Sequence, residues 1–373
     1  MKFLIITHVS HIFENKQYFA YAPYVREMNI WTKFVDDVAI VAPISNREKS
    51  SIDTNYTHQN IQFKAIESFD LLNLKSIFLS FFKIPKICFT IFTAMKNADH
   101  IHLRCPGNVG LLGCFVQIFF PKKIKTAKYA GNWDPKANKP WSYKWQMWIL
   151  NNTFLTKNIK VLVYGEWENS SKNIKSFFTA TYSENEKLPF HPKNWNQTFQ
   201  FIFVGTLAVG KNPLYAIQLI ENLLKKGFKI RLELYGDGIL KNEMQNYISQ
   251  NNLENKIVLK GNRTFEELKN AYQNNHFVIL PSESEGWPKA IAEGMFWGCV
   301  PISTKVSCVP YMLDYENRGI FLSLNLEKDT FKITEFLKNE NIFHQKSRSA
   351  FKWSNQFTTN KFELEIKKLL QCE

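Results

Sequence analysis

The sequence predicts an α/β protein of two domains, each a parallel sheet covered by helices. Three observations carry this reading. A chain of 373 residues exceeds one typical hydrophobic core. Short apolar runs alternate with amphipathic stretches along its whole length. The alternation is interrupted by SENEKLPFHPKNWNQ at 183–197, a polar stretch with two prolines that reads as a linker. The expected boundaries are a first Rossmann-like domain at 1–182, a linker at 183–198 and a second such domain at 199–345, followed by a carboxy-terminal helical segment at 346–373 that packs back on the first domain. Ligands of such sheets sit at the carboxyl ends of strands, which places the expected site in a cleft between the two domains.

The elements follow in order. In the first half, strands are expected at 2–7, 37–43, 100–104, 126–131 and 159–165, with helices including 20–34, 110–120 and 141–153. The second half is more regular. Strand 199–205 leads to helix 212–227 with a glycine stop, then strand 229–236 and a helix near 239–250. Strand 256–261, helix 265–275, strand 276–281, helix 288–298 and strand 299–303 complete the run. The final stretch FKWSNQFTTNKFELEIKKLLQ has helical periodicity.

Composition narrows the function classes. Hydrophobic content of 45% fits a folded globular chain. The net charge of +14 is uneven: residues 1–200 carry 25 basic and 14 acidic side chains, and 201–373 carry 22 and 19. Such a basic first half suits an anionic partner. No recognition-helix, RNA-binding or zinc-finger signature accompanies it, which argues against nucleic acid. Cys88, Cys105, Cys114, Cys299, Cys308 and Cys372 form no CxxC pair and sit among apolar neighbours, as reduced thiols of a reducing compartment do. The opening MKFLIIT is too short for a secretory leader and reads as a buried strand. The apolar stretch 71–95 is broken by Lys75, Lys83, Pro85 and Lys86, so no membrane span is expected.

Motifs follow the strands of the second half. GTLAVGKNP at 205–213 offers a glycine turn at Gly205, then Thr206, then Lys211 before a helix whose first turn holds Pro213. Backbone amides at a helix start with one lysine suit a phosphate, although a surface loop with a solvated lysine has the same sequence. YGDG at 235–238 places Gly236 and Gly238 where backbone can approach a ligand, or simply turn. KGNRTFEEL at 260–268 brings Gly261, Asn262 and Arg263 to a strand end, with Thr264 and Glu267 forming a capping box.

The sharpest signal is SESEGWPKAIAEGMFWG at 282–298. Glu285 lies in the loop after a strand, and Glu293 falls about one and a half turns into the next helix. Carboxylates accept hydrogen bonds from vicinal hydroxyls, and the amides near Gly286, Trp287 and Pro288 face outward from the helix start. Two glutamates on a wet face fit poorly with flanks as apolar as FVILP and GCVPI.

The stretch PSESEGWPKAIAEGMFWGCVPIS resembles the E-x7-E signature of retaining glycosyltransferases of the GT-B fold, family 4, also called glycosyltransferases group 1. The ordered set FVGTLAVGKNP, LYGDG, VLKGN and then E-x7-E is similar to that domain over roughly 199–322. ITHVSHIFENKQYFAYAPYVREMNIW, HLRCPGNVGLLG and KYAGNWDPKANKPWSYKWQ look like a bacterial polysaccharide-assembly branch.

The resemblance implies a GT-B architecture and a UDP- or GDP-sugar donor held mainly by the second domain. It implies that Glu285 contacts the transferred sugar, Glu293 binds the ribose hydroxyls and Lys211 neutralises the diphosphate. Gly205, Thr206, Gly236 and Gly238 would shape the donor pocket; Gly261, Asn262 and Arg263 would lie beside the base, and Gly286, Trp287 and Pro288 near the diphosphate. It implies front-face attack, with the leaving phosphate taking the acceptor's proton, and neither metal nor cofactor. Thr206 stands where arginine is frequent, the first-loop glycine pair is absent, and Ala130 to Trp133 replace a common histidine. A nucleotide-sugar epimerase of the same fold and a non-catalytic donor-binding subunit are the alternative readings.

The acceptor side rests on the first half. Arg104 at a strand end suits an anionic group or a structural ion pair. In GNWDP, Asn132 can meet hydroxyls and Trp133 can stack on a sugar ring or pack in a core. His8 lies at another strand end. The lysines 122, 123, 125 and 128, with the Phe-rich 71–95 stretch, fit attachment to an anionic membrane, where lipid-linked acceptors reside, although helix packing against the sheet explains the same phenylalanines without lipid. The resulting expectation is a cytoplasmic enzyme, peripheral on the inner membrane face, acting on a glycan or lipid-linked acceptor.

Overall fold

The computed structural model describes residues 1–50, 52–69, 74–195 and 197–371. Leu71 to Asn73 of the apolar stretch, and Cys372, lie outside the described residues. The chain divides into two compact units: residues 1–177 with the terminal segment from Phe362, and Phe178–Lys361.

In the first unit, β1 (Lys2–Ile6), β2 (Ile12–Glu14), β3 (Gln17–Tyr21), α1 (Ala22–Thr32), β4 (Asp37–Pro43), β5 (Asp53–Asn55) and β6 (Ile61–Ile66) come first. They are followed by α2 (Leu74–Lys96), β7 (His100–Cys105), α3 (Asn108–Val116), β8 (Ile124–Tyr129), α4 (Trp141–Leu150), β9 (Ile159–Tyr164) and β10 (Ile174–Phe177). Seven strands form one sheet in the order β10-β9-β8-β7-β1-β4-β6, and every pairing is parallel. Central strands such as KFLII and DVAIVAP are nearly continuous apolar runs because both faces are covered. Chain order reverses beside β1, which neighbours β4 on one side and β7 on the other.

The expected helix 20–34 starts at Ala22, because residues 17–21 pair instead with β2 and β5 in a small antiparallel sheet. Asn15 and Lys16 adopt left-handed φ of 49° and 59°, the conformation a two-residue hairpin turn requires. Pro23 in the first turn then starts the helix, where its missing N–H costs nothing. α2 carries Pro85 in its interior, and among the described residues no helix is long and apolar enough to cross a membrane.

The second unit holds β11 (Phe199–Val204), α5 (Pro213–Lys225), β12 (Ile230–Tyr235), α6 (Lys241–Gln250), β13 (Ile257–Gly261), α7 (Phe265–Asn274) and β14 (Phe277–Leu280). Next come α8 (Lys289–Phe296), β15 (Val300–Thr304), α9 (Val309–Met312), β16 (Ile320–Leu322), α10 (Leu326–Phe336) and α11 (Glu340–Ser354). Six parallel strands lie in the order β13-β12-β11-β14-β15-β16, so chain order reverses between β11 and β14. The capping box at Thr264 forms as its sequence predicts, with Glu267 N–H donating to the Thr264 hydroxyl at 3.3 Å.

The stretch read as a linker packs on the second unit. Ser183 and Glu186 cap a short 3-10 turn, Phe190 lies edge-on to Phe351 and Trp195 meets Phe343 at 4.8 Å. The terminal helical stretch is two helices, since the α11 axis stops at Ser354 and α12 (Thr359–Gln371) restarts beyond it. Phe362 of α12 packs on Phe177 at 5.5 Å.

Candidate functional site

In an open parallel sheet, the crevice for a ligand opens where strand order reverses, because the loops on either side diverge there. In the second unit that point lies between β11 and β14. The loop after β11 ends in a 3-10 turn, Val209–Lys211, and Asn212 turns left-handed (φ 52°) before Pro213 opens α5. The loop after β14 carries Glu285. Glu283 N–H donates to the Gly210 carbonyl at 3.0 Å, tying the two loops together. Lys211 Nζ donates to Glu285 Oε1 at 2.5 Å, with the carboxylate side chain only 7% exposed and the lysine 32%. The ammonium keeps an accessible side while the carboxylate is held in place.

Glu293 projects from α8 to different partners. The Thr181 hydroxyl donates to its Oε1 at 2.8 Å, and the buried Tyr272 phenol sits beside it. Burial raises its pKa above the ordinary carboxylate value, against smaller opposing effects from Thr181, Lys289 and Tyr272. Glu285 and Glu293 thus have separate partner sets rather than a shared one.

The glycines serve loop packing. A Cβ at Gly236, whose φ is 137°, would lie 2.0 Å from the Gly205 carbonyl oxygen, and one at Gly238 would lie 2.4 Å from that of Leu207. Backbone bonds complete the contact: Gly205 N–H to Tyr235 O, Leu207 N–H to Asp237 O and Gly236 N–H to Gly261 O, each 3.0 Å. The closeness anticipated for a ligand at Gly236 and Gly238 is therefore taken up by the neighbouring loop backbone. Thr206 is exposed in that loop. Gly261 needs its left-handed φ of 69° for the turn, and nothing crowds its α-carbon. Asn262 and Arg263 are exposed, and Arg263 reaches Glu267 at 3.6 Å. Arg263 also lines a hollow of about 690 Å³ with Arg231, Glu233, Tyr235 and Lys260.

Trp287 is an anchor. It is 7% exposed, stacked on Trp353 at 6.0 Å and edge-on to Phe357. Its side chain is packed into the unit, which leaves Gly286, half-buried, as the accessible backbone of this turn. The Gly286 carbonyl accepts from Ser307 Oγ at 3.2 Å. Pro288 precedes α8 and its carbonyl takes the first intrahelical bonds from Ile291 and Ala292. The amides of Lys289 and Ala290 consequently have no intrahelical acceptor.

In the first unit, Arg104 is committed to an ion pair. Its NH1 donates to Glu27 Oε1 at 2.6 Å, and Lys128 Nζ lies 3.2 Å from the same oxygen. Burial alone would raise the Glu27 pKa, but Arg104 and Lys128 bring it down to about 2. Arg104 is thus the structural ion pair of the two roles its position allows. His8 keeps an exposed edge and packs on Gly107; burial of its ring and then the Arg104 charge hold it below the ordinary imidazole value. Asn132 is turned inward to its own loop, accepting from Asp134 N–H at 2.9 Å. Trp133 is 3% exposed and edge-on to Tyr129, so it packs in the core instead of offering an open stacking face.

The lysine patch is also revised. Lys125 and Lys128 are buried in β8, and Lys123 is occupied by the carbonyls of Ala98 and Lys96 at 2.5 and 3.2 Å. Lys125 donates to Phe120 O at 2.9 Å, and burial lowers its pKa to about 8. Only Lys122 of the four is fully exposed.

Two features had no signal in the sequence. The Ser282 hydroxyl, at the end of β14, is buried without a partner among the described residues. Trp148 of α4 borders a hollow of about 340 Å³ with Trp133, Asn152, Glu168 and Asn169. Among the described residues, no three His, Cys, Asp or Glu side chains gather around one point as ligands of a metal would.

The family described as glycosyl transferases group 1 matches residues 184–353. Protein CapJ of Staphylococcus aureus is 23% identical over 90% of this chain and 86% of its own length. The capsular polysaccharide biosynthesis glycosyltransferase CapH of the same organism is 25% identical over 48% of this chain, which spans about half (51%) of that relative. Among solved structures, Anabaena Alr3699/HepE in complex with UDP and glucose superposes with a TM-score of 0.64 at 13% identity, covering 100% of both chains. The two-sheet architecture is the GT-B fold. Residues 184–353, which include both Lys211 and Glu285, match the glycosyl transferases group 1 family, and with relatives named as glycosyltransferases they support a transferase.

Proposed function

We propose that the enzyme transfers a sugar from a nucleoside-diphosphate sugar, bound by the second unit, to a glycan or lipid-linked acceptor in cell-surface polysaccharide synthesis, with retention at the anomeric carbon. The observation that carries this reading is the Lys211–Glu285 pair at the β11/β14 reversal. HepE with UDP and glucose, and CapH by its name in capsular polysaccharide synthesis, support the donor class and the pathway.

The roles follow from charge. As the bond from the anomeric carbon to the diphosphate oxygen breaks, negative charge grows on the leaving group. Lys211 neutralises it, and the amides of Lys289 and Ala290 at the start of α8 add donors without reorganisation. The acceptor hydroxyl forms its bond on the same face, and its proton passes to the leaving phosphate. Glu285 orients Lys211 and meets sugar hydroxyls. Glu293 takes the ribose hydroxyls in exchange for its bond from Thr181. Arg263 lies toward the base. Neither metal nor cofactor is needed in this scheme. The acceptor belongs to the first unit, where the hollow beside Trp148 offers an indole edge with amide and carboxylate neighbours, a pairing that suits sugar rings. The enzyme works peripherally on an anionic membrane face.

The test is a panel of nucleotide sugars in thermal shift, followed by transfer assays with the stabilising donor. Lys211→Ala and Glu285→Ala should each lower kcat by about 10²-fold or more while leaving the fold intact. Unchanged turnover in both would remove the assigned site. Conversion of donor without acceptor would favour an epimerase.

A further inference from the structure

The outer surface of the first unit is unusual in where its aromatic residues point. α4 buries Ser142, Gln146, Ile149 and Leu150, while its opposite face presents Trp141, Lys144, Trp145 and Trp148. The three tryptophans are 52, 51 and 60% exposed. α2 repeats the pattern: Ile87, Ile91, Ala94 and Met95 are buried, and Phe82, Lys86, Phe89, Phe92 and Lys96 face outward. A surface helix ordinarily shows polar residues outward. Here two helices show rings and lysines.

The two helices belong to one layer, since both pack on α3. Ring contacts link them: Phe115 of α3 meets Trp145 at 5.9 Å, Trp145 meets Trp148 at 6.5 Å, and Phe92 meets Phe119 at 6.3 Å. Phe119, in contact with Phe92, and Phe154, just beyond α4, are also exposed, at 73 and 77%. The exposed charges on these elements are mainly cationic: Lys86, Lys96, Lys144 and Lys157 face solvent, with Glu67 at 3.9 Å from Lys86 and Glu168 beside Trp148 as nearby carboxylates.

We propose that this α2–α3–α4 face docks on an anionic lipid bilayer, its indole and phenyl rings entering the headgroup region and its lysines meeting lipid phosphates. Indoles favour that boundary because the ring is apolar while its N–H remains hydrogen-bonded. A soluble protein partner of ordinary composition would meet a surface depleted in acidic residues and rich in lysine, which protein interfaces tend to exclude from their centres. Charge complementarity therefore selects the lipid. The proposal rests on the membrane-side reading above and specifies the surface that carries it. It replaces the lysines 122–128 with Lys86, Lys96, Lys144 and Lys157 as the cationic groups, joined by tryptophans.

Flotation of the full chain with phosphatidylglycerol-containing vesicles, against phosphatidylcholine vesicles, tests it at low and high salt. The wild type should float with the anionic vesicles at low salt and be released as salt screens the lysines. A Trp141→Gln, Trp145→Gln, Phe154→Ser variant and a Lys86→Glu, Lys144→Glu variant should each lose binding, the latter by about tenfold or more at roughly fivefold per lysine. Melting curves check that both variants are folded. Donor-induced thermal shifts, measured without vesicles, separate this outcome from the donor reading: lost flotation with retained donor response supports the docking face, and retained flotation with no donor response sinks only the donor assignment. Absence of wild-type flotation at low salt, flotation of both variants equal to that of the wild type, or self-association through this face in light scattering would overturn the proposal.

Discussion

Lys211 and Glu285, separated by 74 positions in sequence, share a 2.5 Å hydrogen bond between the turn before α5 and the loop after β14. Lys211 keeps about a third of its side chain in water (32% exposed), so the contribution of the pair to stability is modest, on the order of 1 kcal/mol after screening. Its importance is positional. Glu285→Gln should therefore cost far more activity than stability: kcat falling by about 10²-fold with a Tm change of a few degrees at most. Steady-state kinetics beside a melting curve checks this, and a large Tm loss would show that the glutamate is structural.

Glu27 is the converse case. It holds two cations, Arg104 and Lys128, in a region where all three side chains are nearly excluded from solvent. Glu27→Gln leaves two buried charges without their anion and should destabilise the protein by about 3–5 kcal/mol, read in chemical denaturation. The Glu27 pKa is depressed from 4.5 to about 2, so its stabilisation is complete above the unfolded value and is lost as pH falls from 4.5 through 2. The variant should lose less stability than the wild type in that window.

Glu293 has the opposite sign. Its folded pKa is raised, so the native state holds the proton more tightly than the unfolded chain, and stability falls as pH rises above the ordinary glutamate value. Glu293→Gln removes that penalty and should raise Tm at neutral pH. If the carboxylate also takes ribose hydroxyls, the same variant should weaken donor binding by about tenfold. Calorimetry with the donor nucleotide measures one effect and thermal melting the other.

His11 gives an acid limit. It is buried, its ring nitrogens meet the Val9 carbonyl and the Tyr56 hydroxyl at 2.8 Å each, and burial lowers its pKa from 6.5 to about 4. Protonation is disfavoured in the native state, so stability drops as pH falls from 6.5 to about 4. His11→Gln should flatten that slope by about 3 kcal/mol across the window, at about 1.4 kcal/mol per pKa unit. Denaturant titrations at a series of pH values give the slope directly.

Much of the second unit was legible because buried parallel strands are apolar on both faces, as FQFIFV and FVIL show. The strands that escaped notice lie at margins. β6, β10 and β16 end their sheets, and IQFKAI and IKSF mix polar and apolar residues because one side of each is solvated. The hairpin at 12–21 lacks an Asn-Gly signal; Asn15 and Lys16 make its turn. Lys211 and Glu285 were visible as strand-end residues of an ordered motif set. The sequence leaves Arg104 between two roles and reads Lys128 as a surface cation, because their partner Glu27 lies 77 positions before Arg104, a distance no local pattern spans. Trp133 and Trp148 look alike in sequence, and only helix phase and strand position decide which one is covered.

Gly236 and Gly238 leave no room for even a methyl group against the carbonyls of Gly205 and Leu207. The turns following β11, β12 and β13 are therefore shingled, each resting on its neighbour like overlapping tiles. A strain introduced under one tile lifts the rest, so these two small residues would rank among the least replaceable in the unit, while exposed Thr206 beside them tolerates exchange.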